Sequence, residues 1–203
     1  MEDGLARPEL DVLPGLSQVI RLRAGGSYQV DSASLALALM AGPSRGGAWC
    51  AAVGWDDFGA EAAAELGVVL ERTILVPDPG EAWLEATAAL VDVTALVLVK
   101  PPVRVPEGVA AKLSARLRKR GAVLVSLGSW PRPEALISVA EPQWTGLGRG
   151  EGHLQSRQVV VEVRRGAAPP RRTALRFPSL DGVTVAERVE TPGQARRPLR
   201  EVG

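Results

Sequence analysis

Between Ala48 and Leu127 the chain alternates short apolar runs with longer stretches of mixed polarity, and few folds accept that alternation. Residues 48–53 (AWCAAV), Thr73–Val76 (TILV), Leu96–Val99 (LVLV) and Val123–Leu127 (VLVSL) are strand-length and almost free of polar side chains. Runs of this kind suit parallel strands covered on both faces. Between them, residues 59–66, 81–91 and Glu107–Arg120 read as helices. In the second, Trp83, Ala86, Ala89 and Leu90 share one face. In the third, Val109, Leu113 and Leu117 form the inner stripe and Lys112, Arg116, Arg118, Lys119 and Arg120 the outer one, with Gly121 as the stop. Strands and helices alternating through short connections imply a parallel sheet wrapped by helices. After Pro133 the pattern changes. Residues 136–140 and 158–163 (QVVVEV) read as antiparallel strands joined by a Gly-rich turn. The predicted class is α/β: a mostly parallel twisted sheet flanked by helices, with antiparallel strands added at one edge after about residue 134.

At 203 residues the chain suits one domain with a tail. Residues 1–15 read as an irregular lead-in, 16–165 as the core, and 166–203 as an Arg/Pro-rich segment forming one hairpin before a disordered end. A net charge of +1 argues against a generally basic nucleic-acid binder, though not against a local basic patch. One cysteine, Cys50, excludes an intramolecular disulfide and a multi-cysteine metal site, and one histidine, His153, excludes a two-histidine zinc site. There is no signal-peptide pattern and no apolar run long enough to span a bilayer, so the expectation is a cytoplasmic protein with no membrane contact.

Residues 19–40 (VIRLRAGGSYQVDSASLALALM) read as strand, glycine turn and helix, with Asp31 as the cap of a helix over 32–40. Strand, glycine loop and helix is the layout of a phosphate-binding loop. Laid on the pattern Gly-x-x-x-x-Gly-Lys-Ser/Thr from Gly26, the second Gly position holds Asp31, the Lys position Ser32 and the Ser/Thr position Ala33. The missing Lys removes a charge-assisted contact worth roughly 1.5–3 kcal/mol. Asp31 adds a repulsion of about 3 kcal/mol per phosphate charge at about 5 Å. Nucleotide, cofactor and metal binding are therefore not expected. The same glycine pair also reads as a plain turn.

From about Leu16 to Val163 the order of elements resembles the RecA-like ATPase core. SASLALALMA resembles its first helix, AAELGVVLERTILVPDPGEAWLEATAALV a helix–strand–helix stretch, LVLVK its second nucleotide strand, and QSRQVVVEVRRG a late strand. The resemblance places Lys100 where that core has a metal-binding Asp, and Trp55 at or near its water-positioning Glu. Together with Gly26, Asp31, Ser32 and Ala33 these are vestigial nucleotide positions, so the expectation is a protein without ATPase activity. Within the superfamily, GGSYQVDSASLALALMAG and the Arg/Pro-rich end resemble the ImuA-prime proteins of actinobacteria. That resemblance implies an accessory subunit in the SOS response and translesion DNA synthesis, nucleoid-associated after DNA damage. The implied partners are an ImuB-like protein and, through it, an error-prone replicative polymerase and the sliding clamp, with RecA a further candidate.

Candidate contact residues follow. In the C-terminal segment, Arg171, Arg172, Leu175, Phe177, Leu180, Arg196, Arg197 and Leu199 combine apolar anchors with guanidiniums, a composition suited to folding on a partner or to a plain disordered tail. Arg116, Arg118, Trp130 and Arg132 are candidates for nucleic-acid contact, set against a solvated helix face and a Trp130 packed at the sheet edge. Trp55 reads as filler for an emptied pocket. Other functional readings are a SulA-like division inhibitor, a single-stranded DNA-binding module and a residual ATPase.

Overall fold

The computed structural model describes residues 7–145, 156–179 and 182–185. In chain order the elements are β1 (Glu9–Leu10), α1 (Pro14–Ser17), β2 (Leu22–Arg23), β3 (Ser27–Val30), α2 (Ala33–Arg45), β4 (Cys50–Val53), α3 (Ala60–Leu66), β5 (Thr73–Val76), α4 (Trp83–Val91), β6 (Leu96–Val99), α5 (Glu107–Arg120), β7 (Val123–Leu127), β8 (Ala135–Thr145), β9 (Ser156–Arg164), β10 (Arg171–Ser179) and β11 (Gly182–Val185). One nine-stranded sheet runs β11-β10-β9-β8-β3-β7-β6-β4-β5. The six strands from β8 to β5 are mutually parallel, and β9, β10 and β11 continue the sheet by antiparallel pairing. The α/β class with antiparallel strands at one edge is the architecture the chain adopts.

Two cores form because the central strands are apolar on both faces. On one face, α2 and α3 cover Cys50, Ala52, Leu96, Leu98, Val123 and Val125. On the other, Trp83 and Val91 of α4 and Ala110, Leu113 and Leu117 of α5 cover Ala51, Val53, Val97, Val99 and Leu124. In α4 the inward residues are Trp83, Thr87 and Val91, one turn apart, whereas Ala89 is exposed. Gly121 ends α5 in the left-handed region at φ 72°, as a helix stop requires.

The lead-in is corrected by the structure. Leu13, Leu16, Val19 and Ile20 are not strand or loose chain; α1 and its following turn bury them in the α2-side core. β1 pairs antiparallel with β2, which closes the segment back on the domain. The chain crosses α2 at Gly42, where a Cβ would meet the Asp11 carbonyl oxygen at 2.5 Å and Val12 Cα at 2.6 Å. α2 itself runs past residue 40, through Pro43 to Arg45. Proline removes one hydrogen bond there, and the helix stops two residues later.

Residue 166 falls in the turn between β9 and β10 of the continuous sheet. β11 lies beside α1 and α3, so the antiparallel extension curls around the α2 layer. Among the described residues no helix is long and apolar enough to cross a membrane.

Candidate functional site

In a parallel α/β sheet, ligands sit beyond the carboxyl ends of the strands. Here that edge is formed by the residues after β3, β4, β5 and β6. The glycine pair is not part of it. Gly25 (φ 79°) and Gly26 lie before β3, in a turn where Gly26 N–H donates to the Arg23 carbonyl at 2.9 Å. A Cβ on Gly26 would meet Glu134 Oε2 at 2.7 Å and the Arg23 oxygen at 2.8 Å. The strand that leads into α2 is Ser27–Val30, and only Asp31 and Ser32 separate it from the helix. The alignment of a phosphate loop from Gly26 to Ala33 is therefore corrected: the middle of that span, Ser27–Val30, is strand, and only Asp31 and Ser32 lie between β3 and α2.

Asp31 is not the helix cap. Ser32 holds the N-cap position in extended conformation, with no side-chain capping bond, and its hydroxyl pairs with that of Ser34 at 2.9 Å. The Asp31 carboxylate instead accepts the backbone N–H of Val139 at 3.1 Å, across on β8.

At the ends of β4 and β6 the chain makes a tight junction. Gly54 has φ 75°, and a Cβ there would lie 2.5 Å from the Lys100 carbonyl oxygen. Lys100 N–H donates to Val53 at 2.9 Å, which carries the ladder one step past β6. The Lys100 ammonium then pairs with Asp57 at 2.9 Å and Asp56 at 3.4 Å. These aspartates bind Lys100 and do not cap α3, whose N-cap is Gly59. The hydrogen bond from Lys100 lowers the Asp57 pKa, and the same bond raises that of Lys100. Beside them is a cleft of about 490 Å³ whose lining includes Asp56, Asp78, Lys100, Pro77, Pro79 and Pro101. The prolines have no N–H to offer a phosphate, and Asp56 and Asp78 outnumber the one cation of the lining, Lys100, which is already paired with Asp56 and Asp57.

Trp55 is 4% exposed and packs edge-on against Phe58, with ring centroids 6.1 Å apart. Its indole N–H meets no acceptor among the described residues. Trp55 thus belongs to the α2-side core, at the end of β4.

Of the four candidate nucleic-acid residues, the fold places Arg118 and Arg132 at one cleft and sets Trp130 and Arg116 apart from it. Trp130 is 2% exposed in the α5-side core, so no base can stack on it in this arrangement. Gln29, a polar residue within β3, accepts the Trp130 backbone N–H at 2.9 Å and holds that loop down. Arg116 makes two bonds to Asp92, at 2.7 and 2.5 Å, and Arg120 adds a third at 3.2 Å. The Arg116 guanidinium holds the Asp92 carboxyl well below the usual carboxylate range. Arg118 and Arg132 share a cleft of about 260 Å³ with Glu107 and Ser114. Arg132 pairs there with Glu107 at 2.9 Å and has a positive φ of 48°.

Of the candidate partner-binding residues, Leu175 is fully buried in the α2-side core, so it is not an anchor for another protein. It sits on β10 opposite Val159, and strand pairing takes it inward. Arg171 donates to the Gln18 carbonyl at 3.0 Å, and Arg172 donates to Glu162 at 2.6 Å. Phe177 lies on β10 in register with Arg157, and its side chain is outside the described residues. Leu180, Arg196, Arg197 and Leu199 also lie outside them. The sequence reading missed Glu162, whose carboxylate receives both Arg164 and Arg172. Its one signal was a lone carboxylate inside the apolar run QVVVEV.

The fold is similar to that of the flagellar accessory protein FlaH from Methanocaldococcus jannaschii, with a TM-score of 0.56, 10% identity, and coverage of 81% of this chain and 90% of that one. At that identity the likeness shows the fold alone: a RecA-like α/β domain. In sequence the chain is 37% identical over 99 residues to the uncharacterized protein Rv3395c of Mycobacterium tuberculosis (strain ATCC 25618 / H37Rv), covering 48% of each. The chain thus spans about half the length of this curated relative. The family model of the MT3502 N-terminal domain matches residues 14–132, more than half of the 203. That match starts at α1, runs through the strand-end junction at Lys100 and ends in the loop held by Gln29, so the chain belongs to the MT3502 N-terminal domain family.

Proposed function

We propose that this chain is a RecA-like subunit without ATPase activity, acting by protein contact as the accessory component of an error-prone translesion-synthesis complex. The observation that carries the reading is the two-residue junction Asp31-Ser32 between β3 and α2. NTP hydrolysis needs a phosphate cradle, a bound metal and a group that orients water, all together. Here the junction is too short for the cradle. Lys100, a cation, ends the strand where a metal-binding carboxylate would serve, and it is already paired with Asp56 and Asp57. Trp55 buries apolar surface at the end of β4. A RecA-like fold without these parts is suited to work through its surfaces.

The assignment to a mutasome is supported by the sequence resemblance to ImuA-prime proteins, which names an ImuB-like protein as the partner. Co-expression of the full chain with the ImuB-like protein of the same organism tests it. The reading expects the two to co-purify in a defined stoichiometry, with no ATP turnover by the chain above the background of a mock preparation. Failure to co-purify contradicts the mutasome role. Turnover that Lys100→Ala abolishes contradicts the loss of activity.

A further inference from the structure

The antiparallel extension of the sheet has one face inside the domain and one face outside it. Val159, Val161, Val163 and Leu175 point inward and are 2% exposed or less. The register fixes the residues of the opposite face. Glu162 stands opposite Arg172 on β10 and opposite Ser138 on β8. One step along, Arg164 faces Leu136, and in the other direction Val160 faces Ala174. Arg176 follows Ala174 on the same side of β10. This face is open: Leu136 is 41% exposed, and the side chains of Arg164 and Arg172 keep 61% and 60% of their surface. Arg176 is exposed as well.

Glu162 is the exception, with only 4% of its side chain exposed. Its two oxygens are divided between the two arginines. Arg164 Nε donates to Oε1 and Arg172 Nε to Oε2. Each guanidinium therefore spends its Nε–H on the clamp. Among the described residues the outer Nη edges of Arg164 and Arg172 meet no acceptor. Stability alone accounts poorly for the arrangement: both arginines are largely exposed, ion pairs with such partners contribute about 1 kcal/mol or less, and the neighbouring positions are already Val160 and Ala174. What the clamp supplies is order. It holds two otherwise mobile side chains at fixed places before any partner arrives, which lowers the entropic cost of binding.

We propose that the outer face of β8, β9 and β10 docks a carboxylate-bearing segment of a partner protein, with Arg164, Arg172 and Arg176 receiving its acidic side chains around Leu136 and Val160. Among the described side chains that these three strands place on this face, three guanidiniums stand against one carboxylate, a balance that selects an anionic partner. The aliphatic centre selects protein over nucleic acid. Interfaces between proteins combine arginine with desolvated apolar residues, whereas single-strand binders use aromatic stacking platforms. None of the described side chains on this face is aromatic. The inference rests on the protein-contact reading above and narrows it to one face and one chemistry.

Capture of the ImuB-like protein by the full chain tests it, using Arg176→Glu and Leu136→Asp, which leave the Glu162 clamp intact, together with Arg164→Gln. Thermal melting of each variant reports on folding. The expected result is capture reduced at least tenfold by Arg176→Glu and Leu136→Asp, with melting temperatures kept, and wild-type capture that weakens as NaCl rises. Capture by these two variants equal to wild type overturns the docking face and leaves the accessory-subunit reading standing. Absence of capture by the wild type overturns both. Variants that capture the partner normally but lose binding to a single-stranded oligonucleotide overturn the choice of protein in favour of nucleic acid.

Discussion

The Asp31 carboxylate accepts the backbone N–H of Val139 at 3.1 Å, and this bond ties the end of β3 to its neighbour β8 beyond the last ladder pair. In a nucleotide-binding domain the same place is occupied by a loop that faces phosphate. Here the carboxylate faces sideways into the sheet. Asp31→Ala should destabilise the domain by about 1 kcal/mol, the usual net worth of such a bond, as read from urea unfolding. Asp31→Lys should not create an ATP site, because a cation cannot substitute for the missing loop. Isothermal titration with Mg·ATP checks that, and saturable binding by this variant would contradict the geometric argument.

Trp55 should show two different costs. Trp55→Ala opens a cavity beside Phe58 and should cost about 3–5 kcal/mol. Trp55→Phe should cost far less, because the indole N–H it removes has no acceptor among the described residues. Denaturant midpoints of the two variants, measured with wild type at equal slope, decide the point.

Acid should release the Asp92 clamp in a defined direction. Arg116 lowers the folded-state pKa of Asp92 below its unfolded value. The stabilisation is therefore complete above the unfolded pKa, about 3.9, and is lost as pH falls through the lower folded value. Asp92→Asn should melt below wild type near neutrality, and the two melting curves should converge as pH drops below about 4. Asp57 and Glu162 shift in the same direction and add to the acid sensitivity. Lys100 shifts the other way, so the pair it makes with Asp57 is also lost as pH rises past the ordinary lysine range. High salt should shrink the Asp92→Asn difference, since the Arg116 side chain is 44% exposed.

The N-terminal segment should be released by one added side chain. Gly42→Val places atoms where the Asp11 and Val12 backbone now lies. The expected cost is about 1–3 kcal/mol, with earlier proteolysis within residues 7–23 than in wild type. Limited trypsin digestion followed by mass spectrometry measures it, since Arg21 and Arg23 lie in that segment.

The parallel strands were legible where both faces are apolar. Thr73–Val76, Leu96–Val99 and Val123–Leu127 have the bounds their apolar runs suggest. β3 is not legible, because Ser27 and Gln29 break the apolar run of Ser27–Val30, and the Gln29 side chain is there for a tertiary contact. Ser27 is buried, and its carbonyl accepts the Glu134 N–H at 2.7 Å; Gln29 holds the Trp130 loop. With β3 hidden, Val19, Ile20 and Leu22 resemble the strand, which puts the glycine turn on the wrong side of it. Leu175 is ambiguous in sequence for a different reason. An apolar residue among arginines looks the same whether it pairs inside a sheet or waits for a partner, and only the register of β9 with β10 tells them apart. Lys100 and Trp55 were locatable because each directly follows or closely trails a clear strand. Their partners, Asp56, Asp57 and Phe58, depend on how two distant segments meet.

The most direct measurement is capture of the ImuB-like protein by the nucleotide-stripped full chain, made side by side with and without Mg·ATP. If the domain acts by protein contact, the same complex forms in the same yield under both conditions, because only Asp31 and Ser32 separate β3 from α2. Capture only when Mg·ATP is present would contradict it.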